Sequence, residues 1–150
     1  MQKVFKPWHK IVLIALLICG LACIRLFEHE LFYDPLLAFF KRDNFQKPLP
    51  NIDWTLLAIN YFFRYSLNTM LSLLIIYVIF NDKKLIWFVI IMFGIFFVTL
   101  ISIFFGLLSF HDESLNMILF YVRRFIIQPL LLLLFVPAFF YQKKTTEMAQ

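Results

Sequence analysis

Four long apolar runs divide this chain, at residues 11–27, 54–80, 85–110 and 115–141, and only short polar segments separate the last three. The hydrocarbon core of a bilayer is about 30 Å thick and takes about 20 helical residues to cross. The runs therefore predict an all-α integral membrane protein, a four-helix transmembrane bundle formed by residues 1–150 as one domain. Composition agrees: 63% of the residues are hydrophobic and 15% charged, against roughly 45–50% and about 25% in soluble domains. A water-soluble fold of 150 residues could not hide that much apolar side chain. With 21 Phe and 3 Gly, the chain has neither a disordered nor a linker composition.

The segments between the runs carry turn chemistry. Asn81-Asp82-Lys83-Lys84 and His111-Asp112-Glu113-Ser114 read as tight polar turns. The stretch from Glu28 to Asp53 is longer, with breakers at Asp34-Pro35 and Lys47-Pro48-Leu49-Pro50. Between them, residues 36–41 predict a short amphipathic helix lying at the membrane interface. The basic start, with Lys3, Lys6, His9 and Lys10, resembles a signal peptide, but no small-x-small cleavage pattern follows. Gly20-Leu21-Ala22-Cys23 departs from a lipoprotein box at two positions. The first run is read as an uncleaved span. Pro129 and Pro137 fall inside the fourth, where membrane helices tolerate proline. The tail from Gln142 is polar and reads as frayed.

Lys and Arg give an orientation. With four spans both termini share a side, and that side holds seven cations (Lys3, Lys6, Lys10, Lys83, Lys84, Lys143, Lys144) against four (Arg25, Lys41, Arg42, Lys47) on the other. The positive-inside rule then predicts both termini on the cytoplasmic side. Seven of the nine acidic residues fall on the opposite side. Trp8, Trp54 and Trp87 stand near span ends, where interface anchors belong.

Three charges remain inside the spans: Arg64 in the second, Arg123 and Arg124 in the fourth. A mid-bilayer arginine costs about 2.5–3.5 kcal/mol on insertion scales and is a functional candidate by default. Asn60, Arg64, Asn68 and Ser72 recur every four residues, a polar stripe flanked by Thr69. Tyr121, Arg124 and Gln128 form a second stripe at helical spacing. Counted from the Trp54 and Leu115 ends of their runs, Arg64 and Arg124 lie at matching depths, roughly 14–15 Å in. The two stripes are expected to face one another. The spans hold no Asp or Glu, which leaves two readings open. The guanidiniums could snorkel to lipid phosphates or to Asp53, Asp112 and Glu113, with Asn and Gln holding helices together. Alternatively they form an anion pocket, since paired guanidiniums bind phosphate or carboxylate bidentately. The candidate anion- or partner-binding residues are Arg64, Asn68, Arg123, Arg124, Gln128, Asn60 and Tyr121.

Other constellations carry less. His29 between Glu28 and Glu30, with His111-Asp112-Glu113, lacks metal-ligand spacing, and solvated loop residues are the expectation, with no metal and no cofactor. Cys19 and Cys23 share a helix face but cannot bridge each other in helical geometry; they are expected to pack as small hydrophobes. No nucleophile-and-base set is present, and no basic patch suits nucleic acid.

The quoted loops and stripes also resemble a known family. Leu31-Phe32-Tyr33-Asp34-Pro35-Leu36, Arg64-Tyr65-Ser66-Leu67-Asn68-Thr69, Phe120-Tyr121-Val122-Arg123-Arg124-Phe125-Ile126-Ile127-Gln128-Pro129 and Pro137-Ala138-Phe139-Phe140-Tyr141-Gln142 look like the exosortase F system-associated membrane proteins. The resemblance runs from the first loop to the end of the fourth span. It implies a partner, exosortase F, which resembles a membrane-embedded transpeptidase using Cys, Arg and His. It implies no chemistry for this chain, which has no matching catalytic motif. The expectation is a non-enzymatic accessory protein of a sorting system, binding the exosortase or an anionic substrate or lipid group through its arginines. The alternative is a stand-alone lipid-phosphate-binding or lipid-modifying membrane protein.

Overall fold

The computed structural model describes residues 7–41, 48–110, 112–128 and 130–148. Every regular element among them is helical. Helix α1 spans Pro7–Leu26, α2 Glu28–Leu31 and α3 Pro35–Lys41. Helix α4 spans Trp54–Phe80, α5 Lys83–Phe110, α6 Asn116–Ile127 and α7 Leu130–Met148, with a 3₁₀ turn at Glu113–Leu115. Three helices (α1, α4 and α5) are long and apolar enough to cross a membrane; the count is four if the bent pair α6 and α7 forms one span.

Capping fixes the long elements. The Asp53 carboxylate accepts from the N–H groups of Thr55 and Leu56 at 3.1 and 3.2 Å and starts α4. Asn81 ends it in the left-handed conformation, φ 51°, with its N–H on the Tyr77 carbonyl. Asp82 then accepts from Lys84 N–H at 2.9 Å and starts α5, so two residues reverse the chain. Asp112 caps the 3₁₀ turn through Ser114 N–H. That N–H and the Ser114 hydroxyl hold the Asp112 carboxyl below the usual carboxylate range.

Helices α4 and α5 pack antiparallel through aromatic rings. Trp54 meets Phe105, Tyr61 meets Phe104 and Tyr65 meets Phe97, with centroids 6.1, 5.2 and 4.6 Å apart. The Tyr65 hydroxyl donates to the Phe93 carbonyl at 2.8 Å. Helix α1 lies along α4 in the opposite direction. Its narrow contact stripe is Leu17, Gly20, Leu21 and Ile24, and Gly20 faces Leu71. Cys19 and Cys23 lie off that stripe and are exposed. They are not the packing residues expected, because a helix packed on one neighbour buries only one stripe.

Three expectations about boundaries are corrected. The helical segment at residues 36–41 forms, but Leu36, Leu37, Phe39 and Phe40 are buried, and Phe40 packs edge-on against Phe120. Helix α3 is docked on the protein, with Leu36, Phe39 and Phe40 joining the common hydrophobic core. The fourth run is two helices meeting at 59°. Pro129, which itself lies outside the described residues, has no N–H to continue the ladder, and Gln128 adopts an extended conformation. The carbonyl of Ile127 freed at this break accepts from the Asn68 amide at 3.0 Å, the repair that apolar surroundings demand. Beyond the break, α7 stays helical to Met148 rather than fraying from Gln142, with Thr145 bonded back to Tyr141.

Asn68→Leu removes the only side-chain donor described on the Ile127 carbonyl while keeping volume. The expected loss is about 0.6–1.7 kcal/mol, the range of interhelical hydrogen bonds in membranes, read as a lower unfolding midpoint in mild detergent. An unchanged midpoint would mean that Asn68 does not brace the break.

Candidate functional site

The buried charged side chains gather at one level. Arg64, Asn68 and Ser72 turn the same face of α4 inward and are 1%, 6% and 0% exposed. Asn60, one turn nearer Trp54, accepts from the Tyr33 backbone N–H at 3.1 Å. On α6 the inward stripe is Asn116, Leu119, Arg123, Ile126 and Ile127. Arg123 is therefore inside and 3% exposed. Arg124, the next residue, is turned outward and shares its Nε–H with Gln128 Oε1 at 3.2 Å. Tyr121 is 53% exposed. The expected meeting of the Arg64 and Tyr121/Arg124 faces does not occur: successive helical residues point about 100° apart, and the packed stripe takes Arg123.

The counter-charges come from the first loop. Glu28 opens α2 immediately after α1 and pairs with Arg64 Nη2; Arg25 Nη1 reaches the same carboxylate oxygen at 3.2 Å. Asp34 stands just before α3. Arg123 grips it with Nη2 at 2.5 Å and Nε at 3.1 Å, a forked charge-assisted pair. The Tyr61 hydroxyl donates to Asp34 Oδ1 at 3.3 Å, and Arg64 Nη1 lies 3.9 Å from Asp34 Oδ2. The Arg64 guanidinium also sits over the Phe32 ring at 5.4 Å. Asp53 and Asp112 instead cap helices. Lys41 Nζ is 2.8 Å from His29 Nε2; His111 lies outside the described residues, and no metal-holding cluster of His, Cys, Asp or Glu occurs among those described.

Three arginines thus share two carboxylates, and one positive charge is left over. Arg64 Nε and Nη1 are buried without a hydrogen-bond partner; the 3.9 Å contact to Asp34 is electrostatic attraction and too long for a bond. Unsatisfied buried donors on a cation are costly. Arg64 also lines a cavity of about 330 Å³. Arg25 from α1, Arg64 and Asn68 from α4 and Gln128 from the helix break supply its polar lining. A larger groove of about 510 Å³ between α4 and α5, walled by Phe62, Tyr65, Met70 and Phe97, carries no charge. It offers packing surface rather than chemistry.

Of the sequence candidates, Arg64, Asn68 and Gln128 meet at the cavity, Arg123 and Asn60 fasten the first loop above it, and Arg124 and Tyr121 stand outside it. Glu28 and Asp34 join the site from a segment the spacing analysis treated as a loop, and Arg25 joins it from the last turn of α1. No family model, no curated protein and no solved structure matches this chain.

Asp34→Asn and Arg123→Gln each strand a buried charge and are expected to cost about 3–5 kcal/mol. The double variant should cost clearly less than their sum, measured by denaturation in mild detergent. Arg124→Gln, on the exposed face, should cost under about 1 kcal/mol. Additive costs for the Asp34 and Arg123 changes would contradict the pairing.

Proposed function

We propose that this chain is a non-enzymatic accessory protein of an exosortase-type sorting system, and that it holds one anionic group in the cavity lined by Arg25, Arg64 and Gln128. It would sit in a bacterial inner membrane as a bundle of four spans, with α6 and α7 as one broken span and both termini cytoplasmic. The observation that carries the anion reading is the unbalanced charge: three guanidiniums on two carboxylates, with Arg25 and Arg64 both lining a cavity. Internal carboxylates already neutralise the rest, so binding would complete the cluster rather than compete with it.

Depth supports an outward-facing site. Helix α1 has 20 residues, about 30 Å, the thickness of the hydrocarbon core. Arg25 is in its last turn. A bilayer fitted to α1 would bring Arg25, and Arg64 beside it, close to the outer headgroup boundary rather than to the membrane centre. The sorting context rests on the loop and arginine motifs that resemble exosortase F system-associated proteins. The lipid-phosphate alternative, in which the chain acts alone, is favoured by the same depth.

Two measurements test the proposal. Purification from native membranes in mild detergent should recover the exosortase. A strain carrying Arg25→Gln should accumulate unsorted substrate while making a normal amount of this protein, because a lost charge-assisted contact is worth about 1.5–3 kcal/mol, or about tenfold or more in binding. Recovery of no exosortase, together with normal sorting in a deletion strain, would overturn the accessory role and leave the stand-alone reading.

A further inference from the structure

We infer that the anion held in the cavity is the head group of a membrane amphiphile, a monoanionic phosphodiester lipid, whose hydrocarbon chain runs from the cavity toward the Asn81 end of the molecule. This rests on the anion-binding reading of the site and adds the class of ligand.

The polarity of the cavity is graded along the helices. Direction is fixed by contacts: Gly20 of α1 faces Leu71 of α4, whereas Arg25 reaches Glu28 and, through it, Arg64. Going back along α1 from Arg25 therefore moves toward Asn81. In the other strand of the bundle, Asn68 meets Ile127 and Phe80 meets Phe139 and Phe140, at 5.8 and 5.0 Å. Going forward from Gln128 moves toward Asn81 as well. The remaining lining residues are Leu21 and Ile24 on α1, and Leu130 and Leu133 on α7, beside the terminal Ile127 of α6. All four leucine and isoleucine positions on α1 and α7 lie on the Asn81 side of the charged pair or level with it. The guanidiniums of Arg25 and Arg64 occupy the other end, with Asn68 and Gln128 between, level with the Asn68–Ile127 contact.

That is the pattern of an amphiphile: a charged end, then an apolar channel along the helix axes. A free inorganic anion would use the first and leave the second empty. The channel also reaches the outside. Leu133 is 70% exposed and the Arg25 side chain 52% exposed, so a lipid could enter sideways between α1 and α7 without leaving the bilayer. Volume fits partial entry: about 330 Å³ takes a phosphodiester head and the first few methylenes, with the rest of the chain lying on the exposed apolar sides of α1 and α7. The charge matches too. One positive charge remains after Glu28 and Asp34 are counted, and a phosphodiester carries one negative charge. Arg25, with its side chain 52% exposed, provides the forked donors that phosphate oxygens accept, and the buried Arg64 adds positive charge behind it.

The test uses the full chain, purified in mild detergent and delipidated, with native mass spectrometry reading bound ligand. The probes are dioleoyl phosphatidylglycerol, dioleoyl phosphatidylcholine, dihexanoyl phosphatidylglycerol and inorganic phosphate. The expected order is retention of dioleoyl phosphatidylglycerol about tenfold or more above the other three. Arg25→Gln should reduce that retention about tenfold, and Leu21→Trp, which fills the apolar end, should reduce it while leaving inorganic phosphate binding unchanged. The probe series needs no variant, so it stands even where a variant fails to fold. Equal binding of inorganic phosphate and the long-chain lipid would overturn the lipid inference and leave the anion site intact. Equal retention of the phosphatidylcholine and phosphatidylglycerol lipids would overturn it as charge-blind. Binding of none of the probes would overturn it together with the anion reading beneath it.

Discussion

The pairing of Glu28 and Asp34 with Arg64 and Arg123 is the interaction on which the remainder of the structure depends. Two arginines buried at 1% and 3% exposure cannot stay charged among apolar helices without nearby anions. The long helices that carry them contain no carboxylate except at their ends. The anions must be delivered, and the first loop delivers them by folding into α2 and α3 and docking at the level where α1 stops. That docking buries Leu36 and Phe40, joins Tyr33 to Asn60, and ties α1, α4 and α6 to one small charged cluster. Removing a single partner leaves a stranded charge, which is why such a cluster holds the arrangement more firmly than its modest net energy suggests.

The cluster is also unbalanced, and that is where structure passes into function. Arg25 adds a third cation to two carboxylates, and both Arg25 and Arg64 line a cavity. The helix break at Gln128 opens one wall of that cavity, and the Asn68 amide keeps the broken backbone satisfied. The break, the excess charge and the end of α1 coincide, and each has a separate local cause: a proline in the sequence, an odd number of ions, and a helix of 20 residues.

Much of this was legible in the residues. Apolar runs gave the helices, and the polar turn Asn81-Asp82-Lys83-Lys84 marked the reversal between α4 and α5; Asp53, read there as a possible counter-charge, instead caps α4. The four-residue spacing of Arg64, Asn68 and Ser72 announced one inward face. Two things were not legible. Arg123 and Arg124 are adjacent, and both fall on periodic stripes: Tyr121, Arg124 and Gln128 on one, Asn116, Leu119 and Arg123 on the other. Spacing alone could not say which stripe packs; the seven-residue interval between Asn116 and Arg123 was a usable signal. Glu28 and Asp34 were missed because they lie outside the runs, and a loop carboxylate reads as solvated until the chain is seen to fold back. The fracture at Gln128 was hidden for a related reason: a membrane helix can absorb a proline, and composition does not tell whether it bends or breaks.

The central claim is that the first loop is folded onto α4 in the native membrane. Tyr33 and Asn60, joined by a backbone-to-side-chain hydrogen bond of 3.1 Å, mark that contact without touching the charges. With Cys19 and Cys23 replaced by Ser, both being exposed, the pair Tyr33→Cys and Asn60→Cys should form a disulfide in isolated membranes under mild oxidation. Chain cut by a protease site placed between residues 42 and 47 would then stay joined until reduced. If both thiols stay free to maleimide under the same conditions and the fragments separate, the loop is not where this account puts it, and the charge cluster fails with it.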